Sequence, residues 1–249
     1  MRTATLLGAL ALGAGGLSVT TLPRPTFPGP ASAPTGSHRL VLVSSSTASI
    51  GGAITITLDK KFRGLPPAGV FPTANRDFVV YGKDASTGRY LVAYDKALRH
   101  QLYAFDFKNY AWPPRIHAGD REFVYEQPVW AQEVGGVLYV ENAHATYAQS
   151  SYGQNAYVTA IDLKTKRALW RSPALVANAH TFLVSGRFLI AGYGFTDEPD
   201  YLYLLDRTTG HPVDRVPLPT APDTITRQGG LIRVRTYDHV VLVRLRDAA

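Results

Sequence analysis

Cysteine is absent from the 249 residues, and that absence removes several classes of chemistry. There can be no disulfide, no thiol nucleophile, no thiolate metal site and no lipidated N-terminal cysteine. Charge is sparse as well: Asp, Glu, Lys and Arg make up 18% of the chain, too little for a disordered polyelectrolyte. Helical spacing is missing, because no run of ten or more positions after residue 38 repeats apolar residues every three or four. The signatures G-x-S-x-G and H-E-x-x-H and a glycine-rich phosphate loop do not occur. Basic residues outnumber acidic ones by 26 to 19, but they are scattered. Lys60-Lys61-Phe62-Arg63 is the one dense cluster, and Arg233, Arg235, Arg244 and Arg246 form a second group. Neither makes the continuous basic stripe that nucleic-acid binding requires. What is present is 45% hydrophobic residues, 14 Tyr, 22 Gly and 17 Pro, the composition of one folded, tyrosine-rich, mostly β domain.

Residues 1–37 read unlike the remainder. Arg2 precedes the apolar stretch ATLLGALALGAGGLSV, and the Pro-, Ser- and Thr-rich tract TTLPRPTFPGPASAPTGS follows. This is the layout of a secretory signal peptide with a Pro-rich linker. At about 16 residues the stretch is shorter than the roughly 20 that span a bilayer comfortably, which favours cleavage over anchoring. A small-x-small motif ends at Ala31-Ser32-Ala33, although Pro34 after the cut is unfavourable; an uncleaved anchor on a Pro-rich tether is the alternative. Without residues 1–37, which carry Arg2 and Arg24 and no acid, 24 basic residues stand against 19 acidic ones, a balance of +5.

Alternation by two fills the region from residue 38 to the end. Strands are expected at 39–44, 53–59, 77–82, 90–95, 101–107, 136–142, 156–162, 187–194, 200–206, 231–238 and 240–245, rich in Val, Ile, Tyr and Leu and broken by Gly, Pro, Asn and Asp. Several close in Asp before a short turn: Asp59, Asp95, Asp162 and Asp206, with a weaker unit ending near Arg246. The spacings of 36, 67, 44 and 40 residues match small sheets repeated radially. They predict an all-β fold, a β-propeller of about five four-stranded blades, or four with an irregular N-terminal sheet. The excess in the 67-residue interval comes from 108–126, which contains Trp112 and Pro113-Pro114 and is expected to act as a lid or contact loop. The repeated Asp residues suit side-chain hydrogen bonds to the turn backbone, and Trp130 and Trp170 suit packing between blades.

Two of these repeats resemble PQQ-like, quinoprotein-type propellers. Ala160, Ile161, Asp162, Thr165, Leu169 and Trp170 match the repeat signature of that superfamily, with Lys166 where Gly is usual, and Leu205, Asp206, Thr209 and Gly210 match it in the next repeat. The resemblance implies scaffold rather than redox chemistry, because the quinone pocket of that superfamily commonly includes adjacent cysteines and this chain has none.

In such a blade, the loops joining second to third strands share a face with the connections between blades. That rule gathers 82–89, 108–126, 142–155, 176–180, 193–199 and 236–239 on one face and leaves short turns on the other. His117, His144, His180, Tyr147, Tyr152, Asp197, Glu198 and Asp200 are placed there. Asn-Ala-His occurs twice, at Asn142–His144 and Asn178–His180, either as a paired imidazole site or as side chains that satisfy loop backbone. Asp197-Glu198-Pro199-Asp200 offers oxygen atoms to Ca²⁺ but lacks the spacing of a known calcium loop, so no cofactor is expected and a solvated turn is favoured.

Two functions follow. The first is an exported, non-enzymatic binding or scaffolding propeller, secreted or periplasmic, with no nucleic acid and no membrane span in the mature chain. Its partner is a protein, peptide or glycan, and its contact residues are Trp112, His117, Asn142, His144, Tyr147, Tyr152, Asn178, His180, Tyr193 and Asp197. The second is an enzyme using the same face, with His144, His180 and Glu141 or Asp197 moving protons. The run YAQSSYGQNAYVTAIDLKT resembles a loop of plant-type glutaminyl cyclases, which are five-bladed propellers. Close approach of His144 and His180 beside a carboxylate separates the second function from the first.

Overall fold

The computed structural model describes residues 17–34, 39–48 and 60–246. Two strands lead the chain, β1 (Val19–Thr21) and β2 (Leu40–Thr47). Four up-and-down units follow. The first is β3 (Pro67–Pro72), β4 (Asp77–Gly82), β5 (Gly88–Tyr94) and β6 (Gln101–Asp106), and the second is β7 (Gln127–Val134), β8 (Val137–Ala143), β9 (Tyr157–Asp162) and β10 (Arg167–Arg171). The third is β11 (Leu183–Ser185), β12 (Phe188–Tyr193), β13 (Tyr201–Asp206) and β14 (Pro212–Pro217), and the last is β15 (Pro222–Gln228), β16 (Leu231–Thr236) and β17 (His239–Leu245). The last unit is one strand short, and β2 completes it by pairing antiparallel to β17 from Leu40↔Leu245 to Thr47↔His239. An N-terminal strand thus closes the final sheet, and the architecture is an all-β propeller.

The described residues form four sheets. Asp95, Asp162 and Asp206 follow or end the third strands of the first three blades, and Arg246 follows the third strand of the fourth. The repeat read from the sequence is therefore the blade itself. The run 53–59 and Asp59, which opened that series, lie outside the described residues. At the turns the Asp side chains do what their position suggested: Asp95 Oδ1 accepts from Arg99 N–H at 2.8 Å, Asp162 Oδ1 from Thr165 N–H at 2.6 Å and Asp206 Oδ1 from Thr208 N–H at 2.9 Å. The bond from the Arg99 backbone, with His100 beside it, lowers the Asp95 carboxyl to about 2.

The second and third strands of the first three blades are buried on both faces, so they read as continuous apolar runs such as DFVVYG and FLIAGY, whereas β16 and β17 of the fourth alternate buried and half-buried residues. Between neighbouring blades these faces form the core. One cluster joins blades one and two through Phe78, Val80, Leu91, Leu138, Val140 and Ile161. Another joins two and three through Tyr139, Val158, Phe182, Leu189 and Tyr203, with Trp130 and Trp170 packed against it. A third joins three and four through Ile190, Leu202, Leu204, Ile232, Val234 and Val241. Trp170 lies 5.9 Å from Tyr139 and donates its indole N–H to the Arg207 carbonyl at 3.2 Å, the inter-blade role expected of it. Gly210 makes room for that indole: its φ is +74°, and a Cβ there would come within 2.4 Å of the Trp170 ring. First strands of adjacent blades touch each other, β3 with β7 and β11 with β15, which puts them innermost.

The Pro-rich tract expected as a linker is, over its described part, a strap packed on blades one and two. Strand β1 pairs parallel to β6, and Leu22 is fully buried in the seam between those blades. The chemistry of the tract explains how it docks. Proline has no N–H, so the strap cannot join a ladder along its length, but its carbonyls stay available. Thr26 O accepts from Arg171 at 3.4 Å, Pro28 O from the Tyr157 hydroxyl at 3.0 Å and Gly29 O from Ala174 N–H at 3.1 Å. Phe27 meets Tyr157 edge-on at 6.0 Å.

Candidate functional site

Three of the connections that the repeat rule gathers on one face are tied to one another. They are residues 107–126 between β6 and β7, residues 144–156 between β8 and β9, and residues 194–200 between β12 and β13. Each is tied to the next. His117 N–H donates to Ser150 O at 2.9 Å, and Ala148 N–H donates to Glu198 Oε1 at 2.7 Å. The Tyr147 ring meets Phe195 edge-on at 5.1 Å. Loops fixed in this way hold exposed side chains in place without the ordering entropy that a mobile loop loses on binding.

Locally the middle loop is a 3₁₀ turn, Ala148–Ser151, ended by Tyr152 in the left-handed region at φ 54°. Tyr152 N–H donates to Gln149 O at 2.9 Å and Gly153 N–H to Ala148 O at 2.7 Å, which reverses the chain and turns the Tyr152 ring outward, 44% exposed. His117 stacks on that ring at 4.1 Å and 13°, and the Arg115 guanidinium lies 4.0 Å from its centre. Two groups at that height cannot share one side of a ring, so the phenol is sandwiched between imidazole and guanidinium. A second aromatic group lies on the insertion, where Trp112 meets Tyr125 edge-on at 5.3 Å and Arg121 covers the indole at 4.6 Å. The insertion is no free lid: Tyr110, Ala111 and Val124 are buried, and Glu126 N–H donates to Ala111 O at 2.9 Å. Its exposed part includes Arg115, His117 and Phe123.

The other nominated residues divide between exposed and structural positions. His144 is buried; its Nε2 lies 2.8 Å from Ser151 Oγ, and its backbone N–H donates to Asn155 Oδ1 at 2.9 Å. Burial lowers this imidazole to about 4, so it is neutral at physiological pH. His180 is exposed and pairs with Asp223 at 2.8 Å. The two Asn-Ala-His histidines therefore have separate partners and share no carboxylate. Asn178 clamps Gly194, donating to its carbonyl at 2.8 Å and accepting from its N–H at 3.1 Å. Asn142 is fully buried on β8, away from any partner in solution. Tyr193 is buried and donates its hydroxyl to Glu198 Oε2, so both Glu198 oxygens are occupied within the loop face. Asp197 is exposed at φ 60°. Burial, with Glu198 nearby, raises the Asp200 carboxyl to about 6.

The nominated histidines and carboxylates do not converge on one proton-transfer site. Ser151 and His144 have the spacing of a nucleophile and its base, but both are buried, the serine hydroxyl also donates to Ala148 O at 3.2 Å, and His144 Nδ1 has no partner to orient it. Glu141 is buried and burial holds its carboxyl well above the ordinary range, with neither oxygen hydrogen-bonded. Among the described residues no group of three His, Asp or Glu side chains could hold a metal ion. Sequence reasoning missed Arg115 and Phe195. The available signals were the Arg115-x-His117 spacing within the insertion and the aromatic pair around Gly194.

No protein-family model matches the chain, and no curated protein sequence matches it. Among solved structures it is similar to the computationally designed Ika4 protein, with 12% identity and a TM-score of 0.44 over 79% of this chain and 100% of that one. It is also similar to the designed Ika8 protein, with 10% identity and a TM-score of 0.44 over 72% of this chain and 46% of that one. BamB from Moraxella catarrhalis matches at 12% identity and a TM-score of 0.39, over 77% of this chain and 62% of that one. The fold itself stands on the sheet order of this chain, and no helix among the described residues is long and apolar enough to cross a membrane.

Proposed function

We propose that this chain is an exported, non-catalytic binding propeller that recognises a protein or peptide across its loop face. The observation that carries the reading is the Arg115–Tyr152–His117 sandwich, an exposed aromatic group held rigid by the Ser150 and Gln149 backbone. Tyr, Trp and Arg are the residues that dominate protein–protein contacts, and Tyr147, Trp112, Arg115 and Arg121 supply more of them on the same loops. The sandwich also selects among partners. Both faces of the Tyr152 ring are covered, which leaves its edge and hydroxyl for contact and no open face for a sugar ring to stack on. Export rests on Arg2 and the apolar stretch that follows it. Kinship with PQQ-like repeat propellers rests on the two repeats containing Asp162 and Asp206, and the binding function does not depend on it.

Selection of the full chain against a displayed random-peptide library, in parallel with a glycan array, tests the reading. Peptides enriched on the wild type and lost on Tyr152→Ala are the expected outcome. Glycans bound equally by both proteins, with no peptide enriched, would refute it.

A further inference from the structure

The Ala31-Ser32-Ala33 motif lies just beyond a segment that the fold uses. A cut after Ala33 would remove β1 and open the parallel edge of β6, take fully buried Leu22 out of the seam between blades one and two, and delete the Pro30 bridge to Ala174. The largest consequence concerns charge. Arg171 is paired with Glu126 at 2.5 Å, with side-chain exposures of 3% and 0%. Phe27 of the strap lies 4.6 Å from that guanidinium, which also covers Tyr157 at 3.8 Å. The strap is thus part of what shields an internal ion pair, and its carbonyls accept hydrogen bonds from both Arg171 and Tyr157. Losing the strap would remove these hydrogen bonds and the Phe27 packing and open the Arg171–Glu126 pair to water.

A second small-x-small triplet, Ala14-Gly15-Gly16, ends immediately before Leu17 and two residues ahead of β1. With it as the processing site, Arg2 supplies the charged start and residues 4–12 the apolar core, nine residues long, within the usual signal-peptide range. We propose that the leader is cut after Gly16 and that residues 17–34 remain in the mature protein as a structural strap. This rests on the export reading, so the test has one arm that depends on export and one that does not.

In the first arm, the full chain is produced in a secreting bacterial host and the exported fraction is sequenced from its N-terminus and weighed intact. Leu17 at the start supports the proposal; a start at Pro34 or anywhere between overturns it. Retention of the chain in the cytoplasm counts against export, and the second arm then decides the role of the strap. There, chains starting at Leu17 and at Pro34 are made without a leader and melted. The shorter chain is expected to melt lower by about 10 °C or more, and a synthetic peptide of residues 17–34 is expected to restore part of the difference. Equal melting of the two chains, with no effect of the peptide, overturns the proposal.

Discussion

The seam between blades three and four and the seam between blades one and two are built on opposite principles. The former is mainly aliphatic: Leu202, Leu204, Ile225, Ile232, Val234, Val241 and Val243 interlock, with Phe188 and Leu218 at its margin, and buried Asp214 accepts there from the backbone N–H groups of Arg39 and Leu40. The latter buries Glu126 with Arg171, and both Asn142 amide atoms and Thr159 Oγ lie within the protein without a hydrogen-bond partner. Register places these groups together, because Thr159 sits opposite Arg171 and Asn142 opposite Tyr157 across β8, β9 and β10. Apolar burial stabilises at about 25 cal/mol per Å² whatever the pH, whereas a buried ion pair depends on its partner, its hydrogen bonds and the exclusion of water. The polar seam is also the one beneath the strap and beside the insertion. The more demanding chemistry lies next to the loop face, and the plain hydrophobic packing lies across the ring.

Removing one partner of the ion pair should have the largest effect. Arg171→Ala leaves Glu126 buried alone and is expected to cost about 3–5 kcal/mol by denaturant unfolding, whereas Glu126→Leu with Arg171→Met is expected to restore most of it. If the double replacement is as damaging as the single one, packing rather than charge governs this seam. In the aliphatic seam, Leu204→Ala should cost about 3 kcal/mol, and the cost should be the same at pH 5 and pH 8. A pH-dependent cost there would remove the contrast between the seams.

The polar seam should respond to pH itself. Burial raises Glu126 from 4.5 to about 7, although Arg171 beside it acts in the opposite direction. Between those values the folded state holds a proton that the unfolded state has lost, so stability falls as pH rises and levels off above about 7. The Glu126 contribution to this drop is on the order of 3 kcal/mol, and Glu126→Gln should remove it. Glu141 acts in the same sense, since burial raises it well above 4.5. A stability profile that rises over this window would contradict both assignments. At the seam between blades two and three, Gly210→Ala forces a Cβ toward Trp170 at positive φ and should cost at least about 1 kcal/mol, with a visible change in tryptophan fluorescence. Tyr152→Ala, on the loop face, should change stability by less than about 0.5 kcal/mol while abolishing partner binding.

What the sequence revealed of this fold follows from burial. Second and third strands, such as β4 with β5 and β12 with β13, lie in the blade interior and are buried on both faces, so their apolar runs stood out. Among the innermost strands, Pro67–Pro72 and Leu183–Ser185 were not anticipated, being half-buried, short or proline-containing, with too little alternation to register. The Asp-ended turns were legible because their mechanism is local. The strap was not, because a Pro-rich tract looks like a linker unless the rings and donors that receive it, Tyr157, Arg171 and Ala174, can be seen together. Residues on the loop face were located by blade geometry, but their roles were not: His144 and Asn142 turned inward, while Arg115, absent from the candidates, became the cap on Tyr152.

The most direct test of the loop face as the binding surface is hydrogen–deuterium exchange with and without a peptide enriched in the library selection. Slowed exchange at residues 115–118, 147–153 and 195–198 is the expected result, with the turns at 96–99, 163–166 and 207–210 unchanged. Protection confined to those turns would place recognition on the opposite face and contradict the account.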